Sequence, residues 1–142
     1  MVEVKVLKMH ADMTTPSYAH PGDAGIDLRS AIECVISPGE TKLVPTGVKV
    51  AIPQGFVGLV WDKSGYAAKS SIHCLAGVID AGYRGEIQIV VKNLGKDNFE
   101  VKRDMKISQL LIQPVVSAML KEVADLDDTS RGEGGFGSTG RH

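Results

Sequence analysis

The sequence has 142 residues, 43% hydrophobic and 23% charged, with a formal net charge of −1 and a mean hydropathy of +0.01. That length and balance fit a single soluble globular domain and exclude a mostly disordered chain. They also exclude a helix spanning a membrane, which needs a run of about 18 or more apolar residues, and a broadly basic surface for nucleic acid.

The N-terminus, MVEVKVLKMH, lacks an apolar core of signal-peptide length, so no cleaved secretory signal is expected. Val2, Val4 and Val6 alternate with Glu3 and Lys5, the period of a half-buried strand. Further strands are predicted at Cys34–Ile36, Val48–Ile52, Phe56–Trp61, Glu86–Lys92, Asn98–Val101, Lys106–Ile112 and Met119–Val123. Turn residues separate them: Ser37-Pro38-Gly39, Pro45-Thr46-Gly47, Pro53-Gln54-Gly55, Asp80-Ala81-Gly82 and Leu94-Gly95-Lys96. Only Ser64–Lys69 reads as helical. Many short strands between regular turns predict an all-β, jelly-roll-like barrel or sandwich. One β-domain is expected over 1–127, followed by a Gly-rich arm over 128–142.

Two cysteines, Cys34 and Cys74, make no disulfide framework, and His10, His20, His73 and His142 are scattered. His73 and Cys74 are neighbours, so in a strand they face opposite ways, and no zinc site is expected. Free thiols and the missing signal peptide point to a reducing cytoplasm.

Glycine-flanked polar clusters recur far apart: Ala24-Gly25-Ile26-Asp27-Leu28, Lys63-Ser64-Gly65-Tyr66-Ala67, Gly77-Val78-Ile79-Asp80-Ala81-Gly82-Tyr83-Arg84-Gly85 and Lys106-Ile107-Ser108-Gln109-Leu110-Leu111. None is a P-loop or a dinucleotide turn. Each has a plain structural reading. Asp27 and Asp80 are natural turn carboxylates, and Ser64 is a helix cap. Gln109, on a face with Ile107 and Leu111, is either a hydrogen-bonded core residue or a ligand contact. The tail, SRGEGGFGSTG, carries five of the chain's 16 glycines. By composition it is a disordered tail. Phe136 and Arg131 within it also suit a lid closing over a flat ring and an anion.

Together, in this order, these clusters resemble the five motifs of the trimeric all-β dUTP diphosphatases (dUTPases). The resemblance runs from Asp23 to Gly140. It implies a homotrimer whose active sites are shared between chains, and hydrolysis of dUTP to dUMP and pyrophosphate with Mg²⁺ carried on the triphosphate. No direct protein ligand to the metal is implied, nor any nucleic-acid or membrane partner. Asp80 would activate the attacking water, since an ionised carboxylate can accept its proton. Main-chain groups of Gly77, Val78 and Ile79 would read the uracil edge, and Tyr83 would pack on the sugar. Lys63, Ser64, Gly65 and Gln109 would bind phosphate oxygens, with Asp27 as site support. From the arm, Arg131 would meet the γ-phosphate, Phe136 would stack on uracil, and Gly137, Ser138 and Thr139 would add donors.

Three positions depart from the family pattern. Lys63 stands where Arg is usual and loses the planar fork. Tyr66 stands in place of Leu, and Gly82 in place of Asp. Gly82 also invites comparison with dCTP deaminases, which have a similar hairpin. Their catalytic Glu aligns with Val90, which cannot shuttle a proton. A non-catalytic nucleotide-binding oligomer is the other alternative, and the retained Asp80, Gln109 and tail argue against it.

Overall fold

A computed structural model describes residues 1–137. Among these residues the elements run β1 (Lys5–Lys8), β2 (Ser17–Tyr18), β3 (Ile26–Arg29), β4 (Cys34–Ile36), β5 (Thr41–Ala51), β6 (Phe56–Asp62), α1 (Ser64–Ser70), β7 (Ile72–Leu75), β8 (Val78–Ile79), β9 (Glu86–Asn93), β10 (Phe99–Val101) and β11 (Lys106–Pro114). Three sheets form, ordered β1-β5-β9-β7, β10-β4 and β2-β3-β11-β6-β8. All their pairings are antiparallel. The predicted all-β class therefore holds.

The core follows from strand alternation. In β9, Ile87, Ile89 and Val91 point inward. They join Leu28, Ile36, Val44, Val48, Val50, Val60 and Leu110 in one apolar cluster. Val90 lies on the other face of β9, half-buried.

Several expectations are corrected. Pro45-Thr46-Gly47 is not a turn but lies inside β5, where the register with β9 shifts between Pro45 and Lys49. Gly47 takes the extra residue at φ +70°, and Thr46 Oγ1 donates to the Ile87 carbonyl at 2.6 Å. Proline and glycine here mark a bulge, which bends a strand without ending it. Met119–Val123 forms no strand, and among the described residues it pairs with none. Ile26–Arg29 and Ile72–Leu75 are strands that periodicity did not single out. At the start of α1 the capping position belongs to Lys63 rather than Ser64, with no side-chain cap bond. In β11 the register shifts between Lys106 and Ser108, so Ile107 enters the core instead of sharing a face with Gln109.

Candidate active site

The hairpin after β7 is built tightly around its glycines. Gly77 sits at φ +103°, where a Cβ would lie 2.9 Å from Val60 Cβ and 3.0 Å from the Val60 carbonyl oxygen. Both conformation and space therefore require glycine. The Val60 N–H donates to the Gly77 carbonyl at 2.8 Å, and β8 pairs with β6 through Gly58 opposite Ile79. The Tyr83 N–H then donates to the Asp80 carbonyl at 3.1 Å, closing the turn. Arg84 Nη1 donates to the Ala81 carbonyl at 2.6 Å. The Tyr83 hydroxyl donates to the Glu86 carbonyl at 2.8 Å, and its ring covers Gly85, where any Cβ would overlap it. The ring is thereby held as a wall. Val78, Ile79, Asp80, Tyr83, Glu86, Gln88 and Leu43 line a groove of about 290 Å³, with the Asp80 carboxylate exposed. A Cβ at Gly82 would meet nothing within 4 Å, so the departure there is not a steric necessity.

A second cluster sits on the β3-β11-β6 part of the large sheet. Asp27, Gln109 and Trp61 are cross-strand neighbours in one row. Asp27 is buried, yet Lys63 Nζ lies 2.5 Å from its Oδ1 and Lys106 Nζ 3.2 Å from its Oδ2. Burial pulls this carboxyl up, and the two ammonium groups together outweigh it, holding Asp27 below the usual carboxylate range. Gln109 Nε2 donates to the Asp62 carbonyl at 2.8 Å. Its carboxamide fills the space a Cβ on Gly25 would need, which is why glycine precedes Ile26 here. Ser64 and Gly65 open α1 and are both exposed at the surface.

These two clusters do not meet within one chain. Ile79 pairs with Gly58, and Asp80 continues away from Lys63, which follows the far end of β6. Five residue steps separate Gly58 from Lys63, or ~16 Å. Among the described residues, the arm joins neither cluster. The Val115 N–H still donates to the Gly55 carbonyl at 2.9 Å, but Val116, Met119, Leu120 and Leu126 beyond it are each at least 85% exposed. Arg131 Nε donates to the Gly134 carbonyl at 2.5 Å, a contact within the arm itself. Phe136 is fully exposed at φ +49°, followed by Gly137 at φ +85°. Ser138 and Thr139 lie outside the described residues.

Sequence reading assigned no role to Lys106 or to Asp62, although both belong to the second cluster. Their convergence comes from strand register, which no local pattern encodes. Among the described residues, no group of three or more His, Cys, Asp or Glu side chains is arranged to hold a metal. No helix among them is long and apolar enough to cross a membrane.

The antiparallel β-fold that carries both clusters is that of a known family. The dUTPase family model matches residues 11–140. Chains named deoxyuridine 5'-triphosphate nucleotidohydrolase match over nearly their whole length. The one from Clostridioides difficile is 46% identical over 99% of both chains. The one from Clostridium kluyveri is 47% identical over 98% of this chain and 99% of its own. Among solved structures, the Staphylococcus bacteriophage 80alpha dUTPase with dUPNHPP superposes with a TM-score of 0.92 at 30% identity, covering 98% of this chain and 99% of that one. A mutant dUTPase from phage phi11 of S. aureus, described with a structural Mg(II) ion, gives a TM-score of 0.82 at 28% identity, covering 87% and 97%. The chain belongs to the dUTPase family.

Proposed function

We propose that the protein is a dUTP diphosphatase hydrolysing dUTP to dUMP and pyrophosphate, which removes dUTP from the nucleotide pool and supplies dUMP for dTMP synthesis. The observation that carries this reading is the braced hairpin groove with Asp80 exposed in it. Asp80 takes the proton of the water that attacks the α-phosphorus. The main chain of Gly77, Val78 and Ile79 reads the uracil edge through fixed donors and acceptors, which cytosine does not match. The Lys63, Ser64, Gly65 and Gln109 cluster binds phosphate oxygens. Asp27 keeps Lys63 in place and stays ionised while doing so. Mg²⁺ bound to the triphosphate would neutralise phosphate charge. The oxygen-rich donors here suit a hard cation that keeps its waters and needs no protein cage.

The separation of Asp80 from Lys63 supports a homotrimer in which a hairpin from one chain faces the phosphate cluster of another. The unpaired apolar side chains from Val116 to Leu126 support the same reading, since a water-facing arm has no use for them. The arm over 128–142 would then close a site on a neighbouring subunit, with Arg131 on the γ-phosphate and Phe136 on uracil. Gly137, Ser138 and Thr139 would complete the donors. Free thiols at Cys34 and Cys74 accord with a cytoplasmic enzyme.

Release of pyrophosphate from dUTP, compared with pyrophosphate and ammonia from dCTP and dTTP, tests the activity. Ammonia from dCTP would favour a deaminase, against which the aligned Val90 argues. Discrimination against ribose is tested by Tyr83→Ala. With the ring gone from over Gly85, the ratio of kcat/KM for dUTP over UTP should fall about 10–100-fold, the worth of rejecting an added hydroxyl. An unchanged ratio would place that discrimination elsewhere.

A further inference from the structure

Asp62 ends β6 immediately before Lys63, and no phosphate-binding or catalytic role accounts for it. Its Oδ1 accepts the Cys74 N–H at 2.5 Å, and its Oδ2 lies 2.7 Å from His73 Nδ1. These bonds join strands of different sheets, since β6 belongs to the five-stranded sheet and β7 to the four-stranded one. No ladder joins β6 to β7 there, and one carboxylate does. The carbonyl of the same residue accepts Gln109 Nε2 at 2.8 Å. Asp62 thus presents the carbonyl that holds the Gln109 carboxamide. Burial raises the Asp62 carboxyl and the bonds from His73 and Cys74 outweigh it, so the group stays below its ordinary range and remains an anion.

We propose that Asp62 is a positioning residue for triphosphate binding: held by His73 and the Cys74 N–H, it fixes the carbonyl that orients Gln109. This rests on the reading that Gln109 binds phosphate, taken as the β- or γ-phosphate. Asp62→Ala leaves the carbonyl in the pairing of β6 with β11, opposite Ser108, but removes the side-chain tie to β7 that fixes its orientation. The amide of Asp62→Asn keeps an acceptor for Cys74 and loses the charge facing His73.

The test measures KM for dUTP and the inhibition constant of dUMP, which lacks the β- and γ-phosphates, in Asp62→Ala, Asp62→Asn, Gln109→Ala and the Asp62→Ala/Gln109→Ala double variant. Asp62→Ala and Gln109→Ala should each raise KM roughly tenfold, the scale of one hydrogen bond to a charged group. Inhibition by dUMP should hold within about twofold. The double variant should stay within about twofold of Gln109→Ala alone, because both changes remove the same interaction. Asp62→Asn should raise KM by about threefold, which reads the same role if the alanine variant does not fold. A multiplied, roughly hundredfold loss in the double variant would overturn the proposal, as would an equal loss of dUMP affinity. Normal KM in both Asp62 variants with a weakened Gln109→Ala would sink the role of Asp62 alone. Normal KM in Gln109→Ala would overturn the phosphate assignment itself.

Discussion

Asp80→Asn should still bind dUTP and lose ~10²–10⁴ in kcat, the range that general-base catalysis supplies. The substitution nearly keeps the side chain's shape. It leaves the turn intact too, because the bond closing that turn uses the Asp80 carbonyl and the Tyr83 N–H, while the Gly77 and Tyr83 contacts involve other groups. What disappears is an ionisable oxygen in the groove. The effect should therefore fall on kcat, with KM and melting temperature little changed. Near-normal turnover would show that another group activates the water.

Truncation after Thr129 should remove activity by ~10³ or more, the scale on which a charge-stabilising arginine acts in phosphoryl transfer. It should leave assembly and melting temperature nearly intact. Beyond Thr129, the bonds of the described arm residues are local: Arg131 to Gly134, Gly134 to Arg131 and Gly132 to Thr129. Phe136 buries nothing in this chain. Ordering each glycine-rich residue forfeits about 1–2 kcal/mol of backbone entropy, and only the nucleotide's ring and phosphates offer contacts to offset it. Arg131→Ala alone should reproduce much of the loss. A truncated protein with close to full turnover would return the arm to the plain reading of a disordered tail.

Much of the fold was legible because it is local. Glu86–Lys92 alternates, Lys106–Ile112 is rich in Ile and Leu between turn residues, and both are strands within a residue or two of the expected bounds. Pro45-Thr46-Gly47 misled because the residues that end a strand also serve a bulge within one. Met119–Val123 has a strand's composition and no partner among the described residues, and pairing decides the outcome. At the candidate site, Asp27, Lys63 and Gln109 lie together. Lys106 and Asp62 escaped notice because their contacts depend on the register of β11 against β3 and β6. The distance between Asp80 and Lys63 was likewise invisible, since it is set by which end of β6 each one follows.

The division of one site between chains is tested most directly by mixing two inactive proteins. Asp80→Asn spoils every hairpin, and the double variant Lys63→Ala/Gln109→Ala spoils every phosphate cluster. In a closed ring of three, each mixed assembly holds one site whose hairpin and cluster are both intact. Equal co-expression with random assortment should therefore restore about a quarter of full activity. Light scattering should show three chains per particle. Mixed assemblies with no more activity than the sum of their parents would contradict shared sites.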